Sequence, residues 1–300
     1  MTHIWAVVLG ITQGIAEFLP ISSTAHLKLL PWVFGLSDPV LSSTAFDVAL
    51  HAGSFVAILI ALWRDWADLV LAAVGRTPSP AVSSSPLADG TLTQTPFARR
   101  FIGFLLLTSV PAAVIGFLFE SKVEKYSTPD IAGAAAASAE VPTFHYAPLV
   151  LGIALIVFGV LLWAVDKYVR RKEPLEQITW VRALLIGLAQ ALALVPGVSR
   201  SGATMTAGRL VGLEREAVAR YSFMAALPII GGAAVFGLRH EHLTTLLSLD
   251  WILGFTAAAV SSVLVMRWML SYVRDHSFAL FMWYRIALGL LVVALFFARG

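Results

Sequence analysis

The chain has 300 residues, 58% of them hydrophobic and 13% charged, with a formal net charge of +3 and a mean hydropathy of +0.82. A charged share about half that of soluble domains excludes an ordinary soluble fold, and the modest charge without a basic block argues against a nucleic-acid partner. With no Cys, disulfides, thiolate metal sites and a Cys nucleophile are excluded, and the redox compartment stays open.

In chain order, the opening MTHIWAVVLG lacks a basic n-region and a small-residue cleavage site, so no removable signal is expected. The first apolar segment, about 3–35, is broken by the polar stretch Gln13-Gly-Ile-Ala-Glu17-Phe-Leu-Pro20-Ile-Ser22-Ser23-Thr24-Ala-His26. A full crossing follows at about 43–63, with Asp47 and His51 on one helical face, then a loop whose residues 76–97 are rich in Pro, Ser and Thr. Crossings at about 98–119 and 147–169 flank an Ala-rich stretch, 120–146, that reads as a linker holding at most a short helix. The second interrupted segment, about 180–212, carries Gln190-Ala-Leu-Ala-Leu-Val-Pro196-Gly197-Val-Ser199-Arg200-Ser201-Gly202-Ala-Thr204. Crossings at about 215–238, 249–272 and 278–298 complete the chain, the last opening on Tyr284-Arg285. Each crossing reaches the roughly 20 apolar residues a bilayer requires.

Proline, glycine and polar clusters split the two interrupted segments into pieces too short to span. Such backbone is tolerated at membrane depth only where it is buried or lines a wet cavity, so both segments are predicted to be re-entrant helical hairpins. If 64–97 is cytoplasmic, the turns 164–182, 209–220 and 267–276 are too. Those regions then hold most of the 21 Lys and Arg, leaving Lys28, Lys122, Lys125, Arg239 and Arg299 outside and Arg200 and Arg285 within the membrane. This asymmetry orients the chain with both termini outside. Gly10-Ile-Thr-Gln13 before Pro20 and Gly187-Leu-Ala-Gln190 before Pro196 form a short internal repeat. Three crossings after each hairpin give the halves opposite orientations. The predicted fold is therefore an all-α integral membrane protein. It is a single polytopic domain over 1–300, with six transmembrane helices and two re-entrant hairpins in an inverted repeat of halves 1–170 and 171–300.

Ionisable side chains at membrane depth mark a functional site by default. Gln13 and Glu17 share a helix face, Pro20 ends that helix, and Ser22, Ser23 and Thr24 stand ready to cap the next, with His26 a turn further on. Carboxylate, hydroxyl and imidazole together suit metal binding, nucleophilic attack and proton transfer; the plainer alternative is capping, with Glu17 paired to an Arg. In the second break, free N–H groups at a helix start favour an anion. Arg200 offers a donor fork matched to phosphate oxygens, and Ser199, Ser201 and Thr204 add hydroxyls; here the alternative is an Arg that only neutralises Glu17. Asp47 and His51 either line the site or pair with each other. Arg285 either binds phosphate or holds Glu17 in place. The 9 Trp and 18 Phe read as interface anchors and lipid-facing packing.

These residues resemble the undecaprenyl-diphosphate phosphatase family, bacterial membrane enzymes associated with bacitracin resistance. Gln13 through His26 meets one family motif and Pro196 through Thr204 the other. Weaker matches lie at Phe46-Asp47 to Gly53-Ser54, Val110-Pro111-Ala112, Tyr221-Ser222-Phe223 and Tyr284-Arg285. The resemblance implies hydrolysis of undecaprenyl diphosphate to undecaprenyl phosphate and inorganic phosphate. It also implies a divalent cation, Mg2+ or Ca2+, and a site facing the periplasmic side of the bacterial inner membrane. The partners it implies are the lipid diphosphate and membrane lipid, with a homodimer left open.

Carried over, Glu17 binds metal or acts as acid/base with Gln13 as a neutral partner, and Ser23 is the nucleophile, with Ser22 second. His26 activates it or protonates the leaving group, and Arg200 with Ser199, Ser201 and Thr204 holds the diphosphate. Ser22, Thr24, His51 and Arg285 join the substrate-binding set. Three departures stand out: Gln13 for a carboxylate, His51 for a common Gln, and Ala25 for a common Gly. A polyprenyl-phosphate transporter is the competing class, since broken helices in inverted repeats also build transporters. A phosphatidic-acid-phosphatase-like enzyme is disfavoured, because after Ser199-Arg200 no His follows before His240.

Overall fold

A computed structural model describes residues 2–36, 38, 40–41, 43–76, 95–127, 147–170, 172–239 and 242–299. Among these residues the secondary structure is helical apart from one isolated bridge, between Glu173 and Leu213. The expectations for 77–94 and 128–146 lie outside the described residues.

The first break separates α1 (Thr2–Phe18) from α2 (Ser23–Phe34) at Leu19-Pro20-Ile21. Gly35 closes α2 in the left-handed conformation, its N–H returning to Pro31 O. α3 (Thr44–Ala61) starts at Ser43, whose side chain accepts from the Phe46 N–H, and α4 (Trp63–Ala73) follows almost without pause. α5 (Thr95–Ser127) continues past the predicted crossing and keeps Pro111 inside the helix. α6 (Ala147–Tyr168) ends the first half. After a single 3-10 turn, α7 (Trp180–Ala191) and α8 (Arg200–Leu210) flank the second break. α9 (Arg215–Leu238), the short α10 (Leu243–Leu246), α11 (Leu249–Asp275) and α12 (Ala279–Arg299) follow. Six of these helices, α3, α5, α6, α9, α11 and α12, are long and apolar enough to cross a membrane. Large apolar side chains such as Val235, Leu118 and Phe297 stand exposed on them, as lipid-facing surface requires.

α1 packs on α11 and α7 on α5; α3 also packs on α11, and α9 on α5. α3 meets α9, and α6 meets α12. The approach of α1 to α11 is close because Gly14 has no side chain: a Cβ there would fall 2.0 Å from Ser261 Oγ. Small residues let apolar helices approach where no hydrophobic force separates lipid from protein. Trp5 of α1 touches Phe34 of α2, their rings 5.3 Å apart, and His3 meets Asp250 at the start of α11. At the other end of the molecule the Glu173 backbone pairs with Gly212 and Glu214 beyond α8.

The four turns predicted to share a side do meet. Asp65 pairs with Arg220 at 2.8 Å, Glu216 with Arg274 at 2.9 Å, and Asp166 with Arg209 at 3.1 Å and Arg215 at 2.8 Å. α4 was not anticipated. Its inward face is Asp65, Asp68, Leu69 and Ala72, a helical spacing in which two carboxylates replace the expected apolar residues.

Candidate active site

The two breaks are built alike. Ser22 and Ser199 are the N-caps of α2 and α8, and they are the non-glycine residues with positive φ among the described residues, at 75° and 76°. Each Oγ accepts from the backbone N–H three residues on, Ala25 at 3.4 Å and Gly202 at 3.1 Å. Left-handed serine backbone is strained, and strain of that kind gathers at functional sites. In the second break Gly197 holds φ 94°, and a Cβ there would fall 2.8 Å from Leu151 O, so the turn excludes any larger residue.

The breaks are joined through Glu17, 6% exposed. Ser23 Oγ donates to Glu17 Oε2 at 2.6 Å and Gln13 Nε2 donates to the same oxygen at 3.2 Å. Arg200 Nη2 reaches Glu17 Oε1 at 3.2 Å, and Arg200 Nη1 donates to Ser222 O at 2.7 Å. Arg200 Nε is buried and makes no hydrogen bond among the described residues. His51 Nε2 stands 3.5 Å from Glu17 Oε2, while its Nδ1–H donates to Asp47 O at 2.7 Å. The Asp47 carboxylate lies 3.9 Å from Lys28 Nζ, so Asp47 and His51 do not pair side chain to side chain.

Glu17, Ser22, Ser23, Thr24, His51, Ser199 and Arg200 line one cavity of about 740 Å³. It continues between α5 and α9 past Ala112, Ala113, Gly116, Gly232, Ala233 and Phe236, and so joins a polar pocket to an apolar wing.

Other predicted residues face elsewhere. Ser201 Oγ donates to Leu19 O at 2.8 Å and so ties the breaks together, while Thr204 Oγ1 bonds Ser222 Oγ at 2.6 Å and ties α8 to α9. His26 does not reach Ser23: its Nδ1 donates to Ser22 O at 2.7 Å and its Nε2 meets the Tyr284 hydroxyl at 2.6 Å. With Nδ1 carrying the proton, the hydroxyl is the donor in the second bond. Arg285 is fully buried and donates to Pro20 O at 2.9 Å, Gly197 O at 2.8 Å, Val198 O at 3.1 Å and Leu155 O at 2.9 Å. It fastens both turns instead of facing the cavity.

Sequence reasoning gave no role to Ser222, Tyr284 or Gln190. Ser222 sits in a short matched string, and Gln190 is the repeat partner of Gln13, so a signal existed for both. The amide oxygens of Gln13 and Gln190 are buried and have no partner.

No group of three or more His, Asp or Glu arranged for a metal occurs among the described residues. The carboxylate beside Ser23 is nonetheless an oxygen ligand, which suits a hard cation that takes its remaining ligands from phosphate and water; Gln13 turns its amide N–H, not its oxygen, to that carboxylate. As a constellation the site offers a hydroxyl bonded to a buried carboxylate, a cation with an unused donor and a strained helix start. Those are the parts of a phosphoryl-transfer site.

The family model described as "Bacitracin resistance protein BacA" matches residues 6–291. A protein of Moorella thermoacetica named "Undecaprenyl-diphosphatase" is 40% identical over 299 residues, covering 100% of both chains. Proteins of the same name from Desulforudis audaxviator and Gemmatimonas aurantiaca are 40% identical over 294 residues (98% of each chain) and 39% identical over 299 residues (100% of each).

Proposed function

The chain belongs to the bacitracin resistance protein BacA family, and we infer from this that it is an undecaprenyl-diphosphatase. It is a multi-pass membrane hydrolase that cleaves undecaprenyl diphosphate to undecaprenyl phosphate and inorganic phosphate, recycling the lipid carrier of peptidoglycan synthesis. The observation that carries the chemistry is the Ser23–Glu17–Arg200 chain of contacts across the two breaks.

In this mechanism the diphosphate enters the polar pocket and the polyprenyl tail leaves through the apolar wing between α5 and α9. Ser23 Oγ attacks the terminal phosphorus as Glu17 takes its proton. The bridging P–O bond breaks, and undecaprenyl phosphate departs. Arg200, whose Nε is unspent, meets the charge on the equatorial oxygens. Glu17 passes the serine proton to the departing undecaprenyl phosphate, and water then hydrolyses the phosphoserine, with Glu17 taking the water's proton and returning it to Ser23 Oγ. Glu17 fills the activating role first given to His26, because the hydrogen bond on Ser23 runs to the carboxylate. His26 instead steadies the Ser22 carbonyl. Glu17, with the Gln13 amide oxygen once that amide turns over, would hold Mg2+ or Ca2+, which when bound would neutralise phosphate charge. Direct attack by water is the competing route; labelled phosphate trapped on Ser23 separates the two.

The two interrupted segments are re-entrant hairpins entering from opposite faces. Supporting this are the Trp5–Phe34 contact at one end and the Glu173–Leu213 bridge at the other. An inverted repeat of halves 1–170 and 171–300 is supported by the matching serine caps and by the exchanged packing of α1 on α11 and α7 on α5. The charged turns are cytoplasmic and the pocket opens toward the periplasmic side of the bacterial inner membrane, following the positive-inside rule.

The same paired breaks favour a second reading, a polyprenyl-phosphate flippase. Phosphate release by purified protein in detergent decides between them, because transport needs two compartments and hydrolysis does not. Absence of release from undecaprenyl diphosphate, with or without Mg2+, would overturn the hydrolase reading.

A further inference from the structure

Lys28 has no place in the chemistry above, yet it lines the same cavity as Glu17, Ser23 and Arg200. It lies four residues after Thr24 on α2, and so on the same helix face. Its Cα stands about 7.5 Å along the helix axis from that of Ser23, at 1.5 Å per residue, a span its four-carbon side chain can bridge. The side chain is 17% exposed and its ammonium donates no hydrogen bond among the described residues. Among the described residues its one ionic neighbour, Asp47 Oδ2, is 3.9 Å away, beyond hydrogen-bond range. An ammonium with three donors is thus held loosely at the wall of a pocket. Arg200, the other cation lining that pocket, has already committed both terminal nitrogens to Glu17 and Ser222.

A diphosphate ester carries more charge than one half-engaged guanidinium can match. We propose that Lys28 is a second cationic hold on the diphosphate: it leaves Asp47 and donates to the phosphate oxygens that Arg200 does not reach. It is a substrate-binding residue and takes no part in proton transfer. Because its attraction to phosphate is present in both the ground state and the transition state, its removal raises KM and leaves kcat little changed.

The proposal rests on the hydrolase reading, and steady-state phosphate release from undecaprenyl diphosphate tests the two separately. If the wild-type protein releases no phosphate, that reading fails; the Lys28 comparison is made on an active wild type. Lys28→Met is expected to raise KM about tenfold, the loss of one charge-assisted hydrogen bond, with kcat within about threefold. Lys28→Gln repeats the test with a polar side chain if the Met variant does not purify, and Lys28→Arg keeps KM near the wild-type value. Asp47→Asn, which releases the ammonium, leaves KM unchanged or lower. The double variant Lys28→Met/Asp47→Asn separates lost phosphate contact from a stranded half-buried carboxylate. Under the proposal its KM stays raised. A return to the wild-type value, or a Lys28→Met KM within twofold of wild type, overturns the proposal.

Discussion

Ser23 donates a hydrogen bond to Glu17 Oε2 at 2.6 Å, and that bond ties the proposed nucleophile to the proposed base in one geometry. Ser23→Ala is expected to lower kcat by about a thousandfold or more and to abolish trapped phosphoprotein, since knocking out one member of such a unit disables the whole. Glu17→Gln keeps the hydrogen bond's shape but not its basicity. A loss of about 10²- to 10⁴-fold in phosphate release is expected, the range for a removed general base. Gln13 and Glu17 are also the proposed cation ligands: chelation is expected to suppress turnover and Mg2+ to restore it. Gln13→Glu, which sets a second carboxylate beside the first, lowers the Mg2+ concentration for half-activation; an unchanged titration curve counts against Gln13 as a ligand. Sequence spacing placed Gln13 and Glu17 on one face and identified Arg200 as a phosphate-type group. It could not tell that His26 turns to Tyr284 or that Arg285 spends its donors on carbonyls, because spacing fixes a face while the partner is set by what packs opposite.

At the scale of elements, proline, glycine and hydroxyls disclosed both breaks before any coordinates, and apolar length disclosed the six spans. α4 escaped because Asp65 and Asp68 occupy its inward positions, so its helical spacing shows no apolar stripe. The serine caps escaped as well, since nothing in a Ser-Ser or Ser-Arg pair announces positive φ. Those caps give a stability test. Ser199→Gly relaxes φ 76° while losing the cap bond, whereas Ser199→Ala loses the bond and retains the strain. The Ala variant is expected to unfold earlier in detergent, by about 1–2 kcal/mol relative to Gly. Gly197→Ala combines φ 94° with a 2.8 Å approach to Leu151 O. It is expected to cost about 1–3 kcal/mol or more on the same assay.

Across the whole molecule, charge gathers at one end and the cavity opens away from it. Asp166 is buried between Arg209 and Arg215 and lines no part of the cavity. Asp166→Asn removes the buried carboxylate that Arg209 and Arg215 share, a loss of about 3–5 kcal/mol. Thermal unfolding in detergent is expected to fall while the KM of the protein that remains folded holds steady. The chain's lack of Cys permits an orientation test by single substitution. A membrane-impermeant thiol reagent should label Leu247→Cys in intact cells and His276→Cys only after the membrane is opened; the reverse pattern would invert the orientation. Arg285 fastens the turns of both breaks from α12, and of the described helices α12 is the last to leave the ribosome. The serines, Glu17 and Arg200 are therefore all synthesised and inserted before the residue that clamps their two turns exists. Under the proposed mechanism, the two turns are drawn into one clamped site only once α12 docks, the latest-made of the described helices.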